Sequence, residues 1–416
     1  MRVVVTGLGA LTPIGNTAPE FWAGLLEGRI GTDHTTIFDP APLDVRIAAE
    51  VKDFDPLQSI GRTARFMDRF SQFAVVTARE ALVDAGLEVD PDDSDRIGIM
   101  MNTGGGGIPV LTREVRTYYD RGPNRVSPFF IPMFAPNMAA CQVSLSLGIQ
   151  GPTRGSVAAC AAGTQALVDS YWLLQRDEVD VVICGGTEAG MDPVSVAAFG
   201  NMKALSRRND DPQRASRPFD LQRDGFVFGE GCGVLILETE EHAKARGARI
   251  YCELAGGAMT SDAFHLTAPR EDGRGAMRAM HNALTVSGMQ PEDIDYLSAH
   301  GTSTPLGDRA ETAAIKRAFG DHAEKLAVSS IKGNVGHLVG AAGAVAAVAA
   351  VYAMRDSIVP PTVNYEVPDP TCDLDYVPNT PRAMSVRATM VNAFGFGGQN
   401  AVAILRKTQD DASAAD

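Results

Sequence analysis

The 416-residue sequence predicts an α/β fold of five layers, αβαβα, made of two duplicated halves. Three observations carry that expectation. Short β-branched runs, nearly all closed by glycine, alternate with stretches of helical period, the order expected of sheets covered by helices. Two segments, "RGSVAACAAGTQALVDSYWLL" and "VSSIKGNVGHLVGAAGAVAAVAAVYAM", each lead from a β-rich piece through a turn into a helix of small residues, as an internal duplication would. A helix with alanine and glycine on every side can approach sheets on both faces, so both helices belong between two sheet layers.

The elements follow in order. "RVVVTG" reads as a first strand rather than the core of a secretion signal. Helical patterns cover Phe70 to Ala85, Ala161 to Gln175 and Gly307 to Phe319. Further strands are expected at "RIGIMMNTG", "VDVVICGG", "CGVLILE", "RIYCELAG", "YLSAHG", "LAVSSIKG" and "ATMVNAFGFGG". No Ser/Gly linker or low-complexity segment divides the chain. The halves are taken as 1–249 and 250–408, followed by an acidic tail at 409–416. The longest uncharged run, Leu338 to Met354, is mostly alanine, glycine and valine, and reads as a buried helix rather than a membrane span.

Composition narrows the function classes. A net charge of −14 gives a nucleic-acid role no electrostatic support. Positive charge is nevertheless patchy: Arg62, Arg65 and Arg69 fall at near-helical spacing, and Lys203, Arg207, Arg208 and Arg214 cluster in a loop-like stretch. Six cysteines lie far apart with no CxxC pair, which argues against a disulfide scaffold or a zinc site and for a reducing, cytoplasmic setting.

One of those cysteines stands apart. Cys160 is set among alanines in "VAACAAG", at the expected first turn of a helix, where unpaired N–H groups and the helix dipole favour a thiolate and would pull its pKa below about 8.5. Partners appear elsewhere. "YLSAHGTSTPLGD" places His300 at a strand end in loop chemistry, and "SSIKGNVGHLVGAAG" places Lys332 and His337 at a strand-to-helix turn. A zinc site from Cys160, His300 and His337 lacks a fourth ligand and short spacing. In "NAFGFGG", Gly395, Gly397 and Gly398 allow Phe396 to aim its N–H at a ligand while its ring acts as a gate. "GLGALT" lacks the third glycine of a dinucleotide fingerprint, and no GxxxxGK[ST] or GxSxG occurs.

"VAACAAG", "AHGTSTPLGD", "KGNVGHLVGAAG" and "NAFGFGG", in this order, resemble the elongating β-ketoacyl-acyl-carrier-protein synthases of the thiolase fold, and the resemblance runs from "VVVTGLGALTPIG" to "GGQNAVAIL". It implies that Cys160 takes an acyl chain as a thioester and that the N–H groups of Cys160 and Phe396 hold the oxyanion. His300 and His337 would bond the malonyl thioester carbonyl as carbon dioxide leaves, with Lys332 close by. Thr302 and Thr304 match positions that hold the phosphopantetheine arm. Ile108, Met133, Phe199, Met202 and Phe394 are candidates for the acyl pocket, and Arg62, Arg65, Arg69, Lys203 and Arg207 for the face that docks acidic acyl carrier protein. The enzyme would need no cofactor or metal of its own, because phosphopantetheine arrives on the carrier, and it would be a homodimer with residues around Ile131 to Met138 near the interface.

The second histidine at 337 favours elongation over initiation, where relatives carry Asn. Departures exist: Ala346 replaces a glutamate that many relatives pair with the lysine, leaving Lys332 to backbone groups or water. Ala161 and Ala162 stand where Thr-Ser is frequent, and Gln399 where Thr or His is. Fatty acid elongation is the expected role. A ketosynthase of a dissociated polyketide or polyene pathway is the nearest alternative, and an acyl-binding partner subunit a distant one.

Overall fold

The computed structural model describes residues 1–90, 92 and 94–408, so the expected acidic tail at 409–416 lies outside the described residues. Ten strands form its main sheet: β1 (Val3–Leu11), β2 (Ile97–Asn102), β3 (Thr153–Arg154), β4 (Val181–Glu188), β5 (Gly231–Thr239), β6 (Cys252–Ser261), β7 (Tyr296–Ser298), β8 (Ala327–Ser329), β9 (Ala388–Gly395) and β10 (Gln399–Arg406). Every strand expected from sequence is present; β3 and β10 were not anticipated.

The order across the sheet is β8-β7-β9-β10-β6-β1-β5-β4-β2-β3. Outward from the centre, each side runs through two antiparallel pairings and then two parallel ones: β1-β5-β4-β2-β3 on one side and β6-β10-β9-β7-β8 on the other. The same five-strand plan therefore occurs twice. The sequence suggested separate sheets, but the two plans join in one ladder, because Val3, Val4 and Val5 pair with β5 on one edge and with Leu254, Glu253 and Cys252 of β6 on the other.

Helices complete five layers. Those used below are α1 (Arg69–Ala85), α2 (Ile108–Arg121), α3 (Met138–Leu147), α4 (Ala162–Gln175), α5 (Arg274–Ser287), α6 (Pro305–Phe319) and α7 (Ala342–Asp356). Helix α1 starts where the Asp68 carboxylate accepts the N–H of Phe70 and stops at Gly86, in the left-handed conformation at φ 58°. It covers the first half of the sheet with α3, while α5 covers the second with α6 beside it. Helices α4 and α7 touch strands of both halves. Residues Ala342 through Met354 are all buried, so the one helical stretch among the described residues apolar enough to pass for a span, Val339–Asp356, is enclosed by the fold.

Small side chains set how closely those two inner helices meet. A Cβ added at Gly163 would lie 2.6 Å from the backbone nitrogen of Ala344, and one at Gly343 would lie 2.6 Å from that of Thr164. Both are below any real contact distance, so only glycine permits this crossing. Gly343→Ala should lower stability by about 2 kcal/mol or more. Gly200→Ala, at a helical site with open space around it, should be neutral or raise stability by up to about 1 kcal/mol. Thermal unfolding of the two variants checks the contrast.

Candidate active site

Each inner helix starts from a similar strained turn. Ala159 has φ 47° and Val339 has φ 44°, in a region that residues with a side chain rarely enter. Each is followed by a single 3₁₀ turn, Ala159–Ala161 or Val339–Ala341, and then by α4 or α7. In the first turn the strain presents Cys160, 8% exposed, to a cavity of about 680 Å³. His300, His337, Glu311, Phe394 and Phe396 also line that cavity.

The two histidines are held by their backbones. The N–H groups of His300 and Gly301 donate to the two oxygens of Glu311 at 2.8 and 2.7 Å, and Lys332 Nζ donates to the His300 carbonyl at 2.5 Å. The N–H of His337 donates to the Val227 carbonyl at 2.7 Å, while its own carbonyl accepts from Gly229 at 3.0 Å. The rings stand nearly perpendicular, with centroids 5.4 Å apart, and the His337 ring meets Phe226 edge-on at 5.2 Å. His300 Nδ1 and both ring nitrogens of His337 have no partner among the described residues, which leaves them free to bond a ligand.

Burial, followed by the charge of Lys332, holds both imidazoles well below the ordinary histidine value. They are neutral at physiological pH and can donate a hydrogen bond without giving up charge. Burial also lowers Lys332 to about 8, opposed by Glu311. The partner left open by Ala346 is thus supplied by the His300 carbonyl and by Glu311, a residue sequence reading missed. Its signal was the Asp308/Glu311 spacing, which puts two acids on the buried face of α6.

Cys160 overturns an expectation. Its thiol is pushed up to about 11 by burial, against the pull of Lys332 and of the Phe396 backbone N–H. Nearby dipoles were visible in the local sequence, but the burial of the thiol was not. The same contact puts the Phe396 N–H at the sulfur, with Gly395 packed against the nitrogen of Cys160, so two backbone donors converge there. Gly397 and Gly398, at φ 80° and 73°, shape the loop that carries this donor.

Other predicted residues divide. Thr302 and Thr304 line the cavity with their hydroxyls 3.1 Å apart, and Thr304 also caps α6 by accepting the N–H of Gly307. Phe199 and Met202 line it too; the Phe199 ring lies 5.6 and 5.2 Å from Phe226 and Phe228, aromatic neighbours not foreseen, and 6.3 Å from Phe396. Ile108 and Met133 are not among its lining residues; Ile108 packs behind it, near Gly105 and Gly190. Lys203 is exposed at the lining, Arg207 pairs with Asp44 at 3.3 Å, and Arg62 and Arg65 are exposed on a short 3₁₀ helix. Arg69 does not belong with them. Its guanidinium forks onto the buried Glu230 at 2.9 and 2.7 Å and packs on Phe54 and Phe73, so it is committed to the fold. The segment with Thr267, Ala268, Pro269 and Arg270 lines the cavity unpredicted, tied to the glycine loop by Gly397 N–H to Leu266 carbonyl at 2.7 Å.

These shifts have a measurable consequence. Alkylation of Cys160 in the free protein should rise from pH 7 to 9 with the thiolate fraction and without a plateau near neutrality, but by less than about tenfold per pH unit, because Lys332, at about 8, loses its charge over the same range. Lys332→Ala, which removes the strongest downward influence on the thiol, should slow alkylation further at pH 7. Peptide mass spectrometry against time checks both.

Comparison with known proteins places this geometry. Residues 1–243 match the β-ketoacyl synthase N-terminal domain and residues 251–366 its C-terminal domain. The chain is 52% identical over 409 residues, 98% of each chain, to 3-oxoacyl-[acyl-carrier-protein] synthase 2 of Synechocystis sp., and 46% identical over 98% of each chain to the protein of that name from Staphylococcus aureus strain MRSA252. Among solved structures, a β-ketoacyl synthase from Burkholderia phymatum superposes with TM-score 0.91 at 36% identity, covering 98% of this chain and 100% of that one. The AntDE:AntF structure, a polyketide acyl-carrier protein in complex with its ketosynthase, gives TM-score 0.90 at 33% identity, covering 98% and 99%. The chain belongs to the β-ketoacyl synthase family and has its thiolase-like fold.

Proposed function

We propose that this protein is an elongating 3-oxoacyl-acyl-carrier-protein synthase, condensing an acyl chain with malonyl-carrier protein in fatty acid synthesis. One observation carries the reading: Cys160, two neutral histidines and Phe396 converge on one largely apolar cavity, with Lys332 bonded to the His300 carbonyl beside it. The relatives at 46–52% identity bear the name 3-oxoacyl-[acyl-carrier-protein] synthase 2, whereas the polyketide ketosynthase is 33% identical, which favours fatty acid over polyketide extension.

The geometry accounts for each step. Cys160 sulfur bonds to the acyl carbonyl carbon, the bond to phosphopantetheine sulfur breaks, and the thiol proton ends on the departing arm. The N–H groups of Cys160 and Phe396 meet the oxyanion as it forms. A malonyl thioester then enters, with Thr302 and Thr304 offering hydroxyls to its arm. As the carbon–carbon bond breaks and carbon dioxide leaves, charge moves onto the thioester oxygen, where the neutral imidazoles donate. Each such donor lowers the barrier by about 3 kcal/mol. The resulting carbon nucleophile attacks the acyl-enzyme, and Cys160 leaves as a thiolate and takes up a proton. No step requires a cofactor beyond the phosphopantetheine on the carrier.

Arg62, Arg65, Lys203 and Arg207 form the proposed carrier-docking set, without Arg69. Exposed Tyr119, Ile131 and Leu145, on α2, the short helix Phe130–Phe134 and α3, support a homodimer through this side of the molecule. The reading retains halves at 1–249 and 250–408 and a cytoplasmic setting. Ile108 and Met133 remain proposed contacts of a longer chain, beyond the cavity as it stands.

Cys160→Ala should abolish the acyl adduct seen by intact mass while leaving the unfolding temperature and carrier binding unchanged; condensation by that variant would refute the assignment. His337→Ala should slow malonyl decarboxylation at least tenfold more than it slows Cys160 acylation, read as separate partial reactions, and equal losses would contradict its role.

A further inference from the structure

The duplicated plan allows the two helix-start turns to be compared position by position. Ala159 and Val339 carry the strained φ, so Gly340 stands in the second turn where Cys160 stands in the first. Strands β4 and β9 are likewise equivalent in the five-strand order, each eight residues long, and they end at Glu188 and Gly395. In the first turn, Gly395 packs against the nitrogen of Cys160, a Cβ there falling 3.2 Å from it, and its missing side chain leaves room for an oxyanion between the Cys160 and Phe396 N–H groups. In the second turn the strand ends in a side chain that reaches the matching nitrogen. One Glu188 oxygen accepts the N–H of Gly340 at 3.1 Å and that of Gly104 at 2.7 Å.

We infer that Glu188 is the built-in occupant of a second oxyanion hole, and that by filling it Glu188 acts as a positioning residue for His337 and Val339. The carboxylate is 2% exposed and lies just behind the cavity wall: a Cβ on Gly104 would meet it at 2.5 Å and the Val339 side chain at 2.5 Å. A Cβ on Gly340 would collide with the nitrogen of Gly104 at 2.2 Å, so the turn and the glycine loop close on the carboxylate from both sides. His337 lies three residues before Gly340 and its ring nitrogens bond nothing among the described residues, so its orientation depends on packing and on backbone anchors at either side. Val227 and Gly229 supply the anchors at His337 itself; Glu188 supplies the one beyond it. Burial pushes the Glu188 carboxyl up to about 7, opposed by the N–H groups of Gly104, Gly340 and Gly105. All three present hydrogen to it, as they would to a substrate oxyanion.

The proposal rests on the condensing role given above, and its test separates the two. In Glu188→Gln, an amide must replace one acceptor oxygen with a donor facing N–H groups. Malonyl-carrier decarboxylation should fall about tenfold in kcat with KM unchanged, while Cys160 acylation stays within about twofold of wild type. Equal loss in both partial reactions, or no loss in decarboxylation, would overturn it. Nitrogen-15 imidazole signals give a readout independent of activity: those of His337 should shift in Glu188→Gln while those of the exposed His265 do not, and an unmoved His337 would overturn the inference even if wild type released no carbon dioxide. Such silence from wild type would refute the condensing role alone. Should Glu188→Gln fail to fold, Glu188→Asp, which retracts the charge by one methylene, should show the same split at smaller size, and its absence would likewise be contrary.

Discussion

The site depends on two helices meeting at backbone distance. Helices α4 and α7 cross where Gly163 faces Ala344 and Gly343 faces Thr164, and no side chain fits between them. That approach brings the two helix starts together at the centre of the molecule, one carrying Cys160 and the other preceded by His337. Two residues with φ near 45°, Ala159 and Val339, turn the chain into those starts. Such strain persists only where surrounding structure over-determines it, and here the five layers do so from every side.

The same burial that fixes geometry sets the electrostatics. Burial at the inner end of a mostly apolar cavity pushes the Cys160 thiol up and the imidazoles down, so the resting site holds neutral nucleophile and neutral donors. Lys332 is the cation that acts on all three. It favours the thiolate while discouraging protonated histidine, and Glu311 keeps it in place by anchoring the His300 peptide that it bonds. A carbanion-forming reaction suits such an arrangement, since a protonated imidazole beside the substrate would quench the nucleophile that decarboxylation creates.

Much of this was legible in sequence because chemistry and conformation coincided. Cys160, His300 and His337 each sit in a glycine-rich turn after a β-rich piece, and the alanine-rich helices announced a buried position. Closing strand β10 was not read, since it follows the glycine turn at once and carries only Val402 and Ile404 as β-branched residues. Residues whose meaning is tertiary were also lost. Glu311 and Glu188 look like ordinary acids until the fold buries them, and the regular spacing of Arg69 with Arg62 and Arg65 concealed a partner, Glu230, 161 residues away. Cys160's pKa was misjudged for the same reason: a local dipole is visible in sequence, but the desolvation imposed by the assembled cavity is not.

The central claim is that this one chain makes a carbon–carbon bond at Cys160. The direct measurement incubates the purified protein with a saturated acyl-carrier protein and carbon-13-labelled malonyl-carrier protein, following carrier-bound products by mass and carbon dioxide release in parallel. The account predicts a 3-oxoacyl-carrier product two carbons longer than the donor, with one carbon dioxide per product. Acyl-enzyme that forms without chain extension, or extension that begins only when a different chain is added, would contradict it.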